Sequence, residues 1–155
     1  MNRKTQFSRT RGFTLVEIMI VVVIIGILAT MAIPAINRVK YASQNSRIMN
    51  DFRIFAAAFI NYNMENGAYP PDGAFDFPTG MDDYLPTASW NSPPLGGQWI
   101  WDQNDWNVTA AVSYRNSRMS VPQMTRLDER YDDGDLTSGK FQRISSDRYS
   151  YIIEP

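Results

Sequence analysis

The chain has 155 residues, a formal net charge of −1, and neither histidine nor cysteine. That composition excludes the usual zinc ligand sets, a Ser-His-Asp triad, thiol chemistry and any disulfide. A mildly acidic chain also gives no electrostatic case for nucleic-acid binding, which needs a basic patch.

The first twelve residues contain Arg3, Lys4, Arg9 and Arg11 and no acid. Removing these four cations takes the formal charge of the remainder from −1 to −5. From Phe13 to Pro34 every residue is apolar or small except Glu17, with Thr14 and Thr30 the only other polar side chains. Roughly 20 such residues span the hydrocarbon core of a bilayer at about 1.5 Å each. A basic flank stays on the cytoplasmic side during insertion, so the C-terminal bulk is expected on the other side. A carboxylate inside such a run costs on the order of 3 kcal/mol at the bilayer centre, so Glu17 reads as a group that requires a partner.

Three readings fit this start. A secretory signal would place its cleavage site after the apolar run, where Ala29, Ala32 and Ala35 mimic the required small residues. A plain uncleaved signal anchor would keep the run intact. The third reading uses Gly12, which stands at the border between basic and apolar sequence.

From Ala35 the pattern becomes amphipathic. Ile36, Val39, Ile48, Phe52, Phe55, Phe59 and Tyr62 recur at intervals of mostly three or four, with Arg38, Lys40, Arg47, Asp51 and Arg53 largely off that face. Asn66-Gly67 supplies a stop. One helix is expected from about Thr14 to about Glu65, on the order of 75 Å long. Pro34 removes a backbone donor and is expected to kink it, and Gly26 is a second weak point. About 90 residues remain beyond this helix, enough for one small core.

Gly67-Ala68-Tyr69-Pro70-Pro71-Asp72-Gly73 is a turn by composition. Residues 74–97 read as an ordered loop with a short helix at 80–85. Gln98–Asp102 and Asn107–Tyr114 are β-prone and form a hairpin about Gln103-Asn104-Asp105. A helix is expected over Ser120–Tyr131, with Ser120 as N-cap and Pro122 in its first turn. Lys140–Ile144 and Arg148–Ile153 form a second hairpin about Ser145-Ser146-Asp147. Alternation of Tyr149, Tyr151 and Ile153 with Ser150, Ile152 and Glu154 implies a sheet with one buried face. The fold class is α+β, a small antiparallel sheet on the second half of one long helix.

Gly12-Phe13-Thr14-Leu15-Val16-Glu17, the basic leader and the apolar run together resemble the N-terminal signal of the type IV pilin and type II secretion pseudopilin superfamily. The resemblance covers about the first quarter of the chain. The Gly-x-Tyr-Pro element at Gly67–Pro70 and the absence of cysteine are similar to major-type pseudopilins in particular. This resemblance implies a pilin-like fold divided into a cleaved leader (1–12), a transmembrane and assembly half-helix (13–34), an amphipathic half-helix (35–66) and a head domain (67–155). It implies that prepilin peptidase cuts between Gly12 and Phe13, that Phe13 becomes an N-methylated terminus, and that Glu17 pairs with that amine on a neighbouring subunit during assembly. It also implies that the interval from Gly26 to Pro34 can lose helical order in a filament. The expected setting is the bacterial inner membrane, single-pass with a periplasmic C-terminal domain. The expected partners are copies of this chain, other pilin-like subunits, the peptidase, the inner-membrane assembly platform and the lipid bilayer, in a periplasmic or surface fibre. No nucleic-acid partner is expected.

Asp128-Glu129-Arg130-Tyr131-Asp132-Asp133-Gly134-Asp135 is the candidate ligand loop, with Asp132, Asp133 and Asp135 as calcium ligands. Its spacing is not that of an EF-hand, since the third position is Arg130 and the sixth is Asp133. Major pseudopilins resemble this chain in having a late calcium loop. A solvated Asp-rich turn is the competing reading, and no cofactor is required. Trp99 and Trp101 share a strand face and are expected in the core. Trp90 and Trp106 fall in loops and are candidates for a contact surface. They support an alternative function, a membrane-anchored periplasmic module that binds a glycan or a protein. Asp132 and Asp135 could pair for glycoside hydrolysis, but so small a head leaves no cleft for it, and no enzyme activity is expected.

Overall fold

The computed structural model of the chain describes residues 12–155 except 74, 116, 117 and 119. It falls into two compact units, Met1–Tyr41 and Ala42–Pro155. The leader expected at 1–12 lies outside the described residues up to position 11.

Helix α1 runs from Leu15 to Asn66, within a residue of its expected bounds, and passes through Pro34 without interruption. In the first unit it is exposed almost throughout, Leu15 and Met31 more than 70% so. It is long and apolar enough to cross a membrane. An exposed and largely apolar helix surface of this kind is what a lipid-facing segment presents.

In the second unit α1 lays Ile48, Met49, Phe52, Phe55 and Phe59 into the core. The expected stripe is therefore correct from Ile48 onward. Ile36 and Val39 are 64% and 70% exposed and belong to the first unit. Asp51, expected off the face, is 8% exposed and lies 3.9 Å from Arg47. The helix ends where Gly67 takes φ = 76° and its N–H donates to the Asn63 carbonyl at 2.8 Å. A left-handed residue of this kind closes the last turn at no Cβ cost.

The loop that follows is pinned to the core by Met81, Leu85 and Trp90. The Trp101 indole N–H donates to the Pro70 carbonyl at 2.9 Å, and the Tyr114 hydroxyl to the Gly96 carbonyl at 2.6 Å. Its short helix, α2, is Thr87–Trp90 rather than 80–85. Gly80 has φ = 82°, which prevents a helix from starting there, whereas Pro86 at φ = −70° is preset for one.

Strands β1 (Gln98–Asp105), β2 (Val108–Arg115), β3 (Phe141–Ser145) and β4 (Arg148–Glu154) form one antiparallel sheet in the order β1-β2-β4-β3. Helix α3, Val121–Tyr131, joins β2 to β3, with Ser120 as its N-cap residue and Pro122 in its first turn. The first hairpin turns at Trp106-Asn107, not at 103–105. Asp105 pairs with Val108, and Trp106 and Asn107 take φ = 53° and 62°, the signs that a two-residue primed turn requires.

One sheet face packs on α1. Trp99 meets Phe52 edge-on at 4.8 Å and stacks on Tyr114 at 4.6 Å, while Trp101 stacks on Phe59 at 3.7 Å. The other face is buried as well, against the expectation of a single buried face. Ile100, Asp102, Ala111, Ser113, Arg148, Ser150 and Ile152 are all under 9% exposed. There Arg148 Nη1 donates to Asp102 Oδ1 at 2.8 Å, the Ser113 hydroxyl donates to Asp102, and Ser113 and Ser150 share a 2.6 Å hydrogen bond. The result is an α+β, pilin-like arrangement of a long N-terminal apolar helix and a four-stranded antiparallel sheet.

Candidate functional site

Two regions among the described residues hold the side chains expected to act. The first is the start of α1. Gly12 is exposed with no neighbour where a Cβ would stand, and Phe13 is 81% exposed, so the Gly12–Phe13 bond is open to approach.

Thr14 precedes the first helical residue and Glu17 is the acid of the first turn. The Thr14 N–H and hydroxyl donate to Glu17 Oε2 at 2.8 and 2.9 Å, and the Glu17 N–H donates to Thr14 Oγ1 at 3.2 Å. This is a capping box, in which each residue satisfies the other's backbone donor. Within one subunit Glu17 is therefore partnered by Thr14, a role that sequence reasoning overlooked. The signal was present as Thr-x-x-Glu directly before an apolar run.

The second place is the acidic loop after α3. Asp128 stands on the last turn of α3, fully buried, and neither carboxylate oxygen makes a hydrogen bond of good geometry. Burial, followed by the charges of Asp133 and Asp132, pushes its pKa up to about 6. Asp132 Oδ2 accepts from the Lys140 N–H and, at 2.8 Å, from the Phe141 N–H, which ties the loop to the start of β3. Asp133 accepts from the Asp135 N–H at 2.9 Å and the Ser138 hydroxyl at 2.7 Å.

Asp128, Asp132 and Asp133 each place a carboxylate oxygen within 4.8 Å of the other two. Of the three expected ligands, Asp132 and Asp133 are brought together, with Asp128 in place of Asp135. The Asp135 carboxylate instead accepts from the Thr137 hydroxyl at 2.7 Å and its N–H at 3.0 Å, and these bonds hold its pKa below the usual range. Asp128, which opens the expected acidic cluster but was not among its named ligands, lies one helical turn before Asp132. Gly139, at φ = 72°, passes so close that a Cβ there would stand 2.9 Å from Asp132 Cγ and Asp133 Oδ2.

A hard cation surrounded by oxygens at 2.3–2.6 Å (the range for calcium) brings its ligand atoms about this far apart. The buried Asp128 carboxylate, with no hydrogen bond of good geometry, fits that use, since burying an ionised acid so weakly partnered is otherwise costly.

The tryptophans do not form a platform. Trp99 and Trp101 are in the core as expected. Trp90, expected at a contact surface, is 3% exposed, with Phe55 at 5.1 Å and Phe59 at 6.0 Å. Trp106 alone is half-exposed, and the Arg148 guanidinium lies 5.4 Å from its ring centroid.

Residues 7–33 match the family model described as the prokaryotic N-terminal methylation motif. The chain is 37% identical over 63 residues to type II secretion system core protein G of Klebsiella pneumoniae, a match covering 41% of this chain and 45% of that protein. It is 40% identical over 65 residues to the protein of the same name in Pseudomonas aeruginosa, covering 42% and 46%. It is 42% identical over 64 residues to the fimbrial protein EcpC of Eikenella corrodens, covering 41% and 42%. The chain thus spans less than half the length of these curated relatives, and none of their names is an enzyme's. No solved structure is a significant match. Over its N-terminal segment the chain is similar to type II secretion core protein G and to a fimbrial protein, in line with the resemblance to type IV pilins and type II secretion pseudopilins read from residues 12–17.

Proposed function

We propose that the chain is a structural subunit of a helical pilus-like fibre, a pseudopilin of a type II secretion system or a related type IV filament, and not an enzyme. The observation that carries this reading is the exposed apolar half of α1, headed by a carboxylate that hydrogen-bonds to Thr14, the residue next to the expected terminus Phe13. Prepilin peptidase releases Phe13, which is methylated. The apolar helices then bundle, and Glu17 exchanges its Thr14 cap for the terminal amine of a neighbour. A carboxylate without a partner in a dry bundle is strongly disfavoured, so this pair selects the register of packing more than it adds net stability. Calcium held by Asp128, Asp132 and Asp133 supplies positive charge that lets three acids share one site. These residues secure the turn between α3 and β3 through the Asp132 bonds to Lys140 and Phe141.

Glu17→Ala should leave membrane insertion and leader cleavage intact and abolish incorporation into fibres, read by fibre yield in the sheared fraction. Gly12→Asp should leave the leader attached, read by the mass of the protein from native membranes. Normal fibres from Glu17→Ala would refute the assembly role, and unchanged mass of Gly12→Asp would refute the cleavage site. A tether bearing a glycan-binding head is less well supported, because burial of Trp90 removes half of the aromatic surface it needs.

A further inference from the structure

Leu15 to Pro34 amounts to about 30 Å of helix, the thickness of a hydrocarbon core. One turn further on stand Arg38, Val39, Lys40 and Tyr41, all exposed, Val39 and Tyr41 by 70% and 53%. At 100° per residue Arg38 and Lys40 project about 160° apart around the axis, and so do Val39 and Tyr41. Among the described residues neither cation has an ion-pair partner, and the sequence contains no acid between Glu17 and Asp51.

A protein partner docks on one side of a helix. Cations on opposite sides, alternating with an aliphatic and an aromatic side chain, suit a medium that surrounds the helix. Tyrosine is at home between apolar and hydrated layers, and arginine and lysine reach from there to phosphates. We propose that Arg38, Lys40 and Tyr41 form a collar that binds the headgroups of anionic phospholipids in the leaflet from which the C-terminal unit emerges. The collar sets the depth at which the stored subunit sits. This assignment rests on the reading that the first half of α1 spans the membrane. Once the leader and its four cations are removed, the side-chain cations nearest the span are those of the collar.

The chain has no cysteine, so single cysteines report depth without background. Full-length protein carrying Val23→Cys, Ile36→Cys or Ser43→Cys is reconstituted in vesicles of phosphatidylglycerol with phosphatidylethanolamine, or of phosphatidylcholine alone, and labelled with an uncharged, impermeant polyethylene-glycol maleimide. Each cation near an anionic surface is worth about fivefold in partition. Ile36→Cys is therefore expected to label at least about fivefold more slowly in the anionic vesicles, with Ser43→Cys unaffected. Adding Arg38→Gln and Lys40→Gln should remove that difference, and Arg38→Lys should preserve it. Equal rates for Ile36→Cys in the two lipids, or a difference that survives the double substitution, would overturn the collar. So would protection that appears only on fibre formation whatever the lipid, which would assign the cations to a neighbouring chain. Rapid labelling of Val23→Cys in both lipids would overturn the membrane-spanning reading itself, an outcome distinct from loss of the collar alone.

Discussion

Replacing Asp128 by asparagine separates the two consequences of its position. Without a cation the ionised carboxylate opposes folding, because burial and then Asp133 and Asp132 raise its pKa from 3.8 to about 6. At about 1.4 kcal/mol per pKa unit, and discounted for relaxation of the loop, that opposition is about 1–3 kcal/mol at pH 8. The sign follows from linkage. A folded-state pKa above the unfolded one gives stability that is complete below about pH 4 and is lost as pH rises through about 6. Asparagine keeps the volume and removes the charge, so in chelator at pH 8 the variant should be as stable as the parent or more so.

Calcium should reverse the order. At one hundred times its dissociation constant a cation adds about 2.7 kcal/mol to the parent, and this increment fades as pH falls below about 6 because binding needs the carboxylate ionised. For a unit of this size that is a rise of about 10 °C in Tm. Asp128→Asn should rise by less than about 2 °C. Thermal unfolding of the full chain in detergent, followed by tryptophan fluorescence with calcium or chelator, reads both terms, since Trp99 and Trp101 lie in the core. Equal calcium-induced rises in parent and variant, together with a less stable variant in chelator, would refute the argument from the buried carboxylate.

Other substitutions test the neighbouring claims. Arg148→Met strands Asp102 without its counter-ion in the sheet and should cost about 3–5 kcal/mol by urea denaturation; adding Asp102→Asn should restore at least about half of it. Trp90→Ala should cost about 3–5 kcal/mol as a core deletion, whereas Trp106→Ala, which loses a partly exposed contact with Arg148, should cost less than about 2 kcal/mol. Gly139→Ala forces a Cβ against Asp132 and Asp133 at a positive φ and should abolish most of the calcium-induced rise in Tm while leaving the fluorescence spectrum of the folded state unchanged.

The sequence alone determined what rests on local chemistry. The apolar run and its basic flank, the α1 stop at Gly67, the α3 start at Ser120 and the second hairpin follow from composition and periodicity over a few residues. So does the placing of Phe52, Phe55, Phe59, Trp99 and Trp101 in the core. Even Thr14 as the cap of Glu17 was legible, since its signature lies within four residues.

Tertiary structure decided what depends on contacts between distant segments. Asp102 and Arg148 are 46 positions apart, and only the β2–β4 pairing brings Ser113 to Ser150 between them. Burial of the second sheet face therefore could not be read from the alternation in β4. Trp90 looked like a loop residue because nothing nearby announces that Phe55 and Phe59 will cover it. The acidic loop divides the same way: its acids were visible in order, but the choice of Asp128 over Asp135 belongs to the helical turn that buries one and the Thr137 bonds that occupy the other.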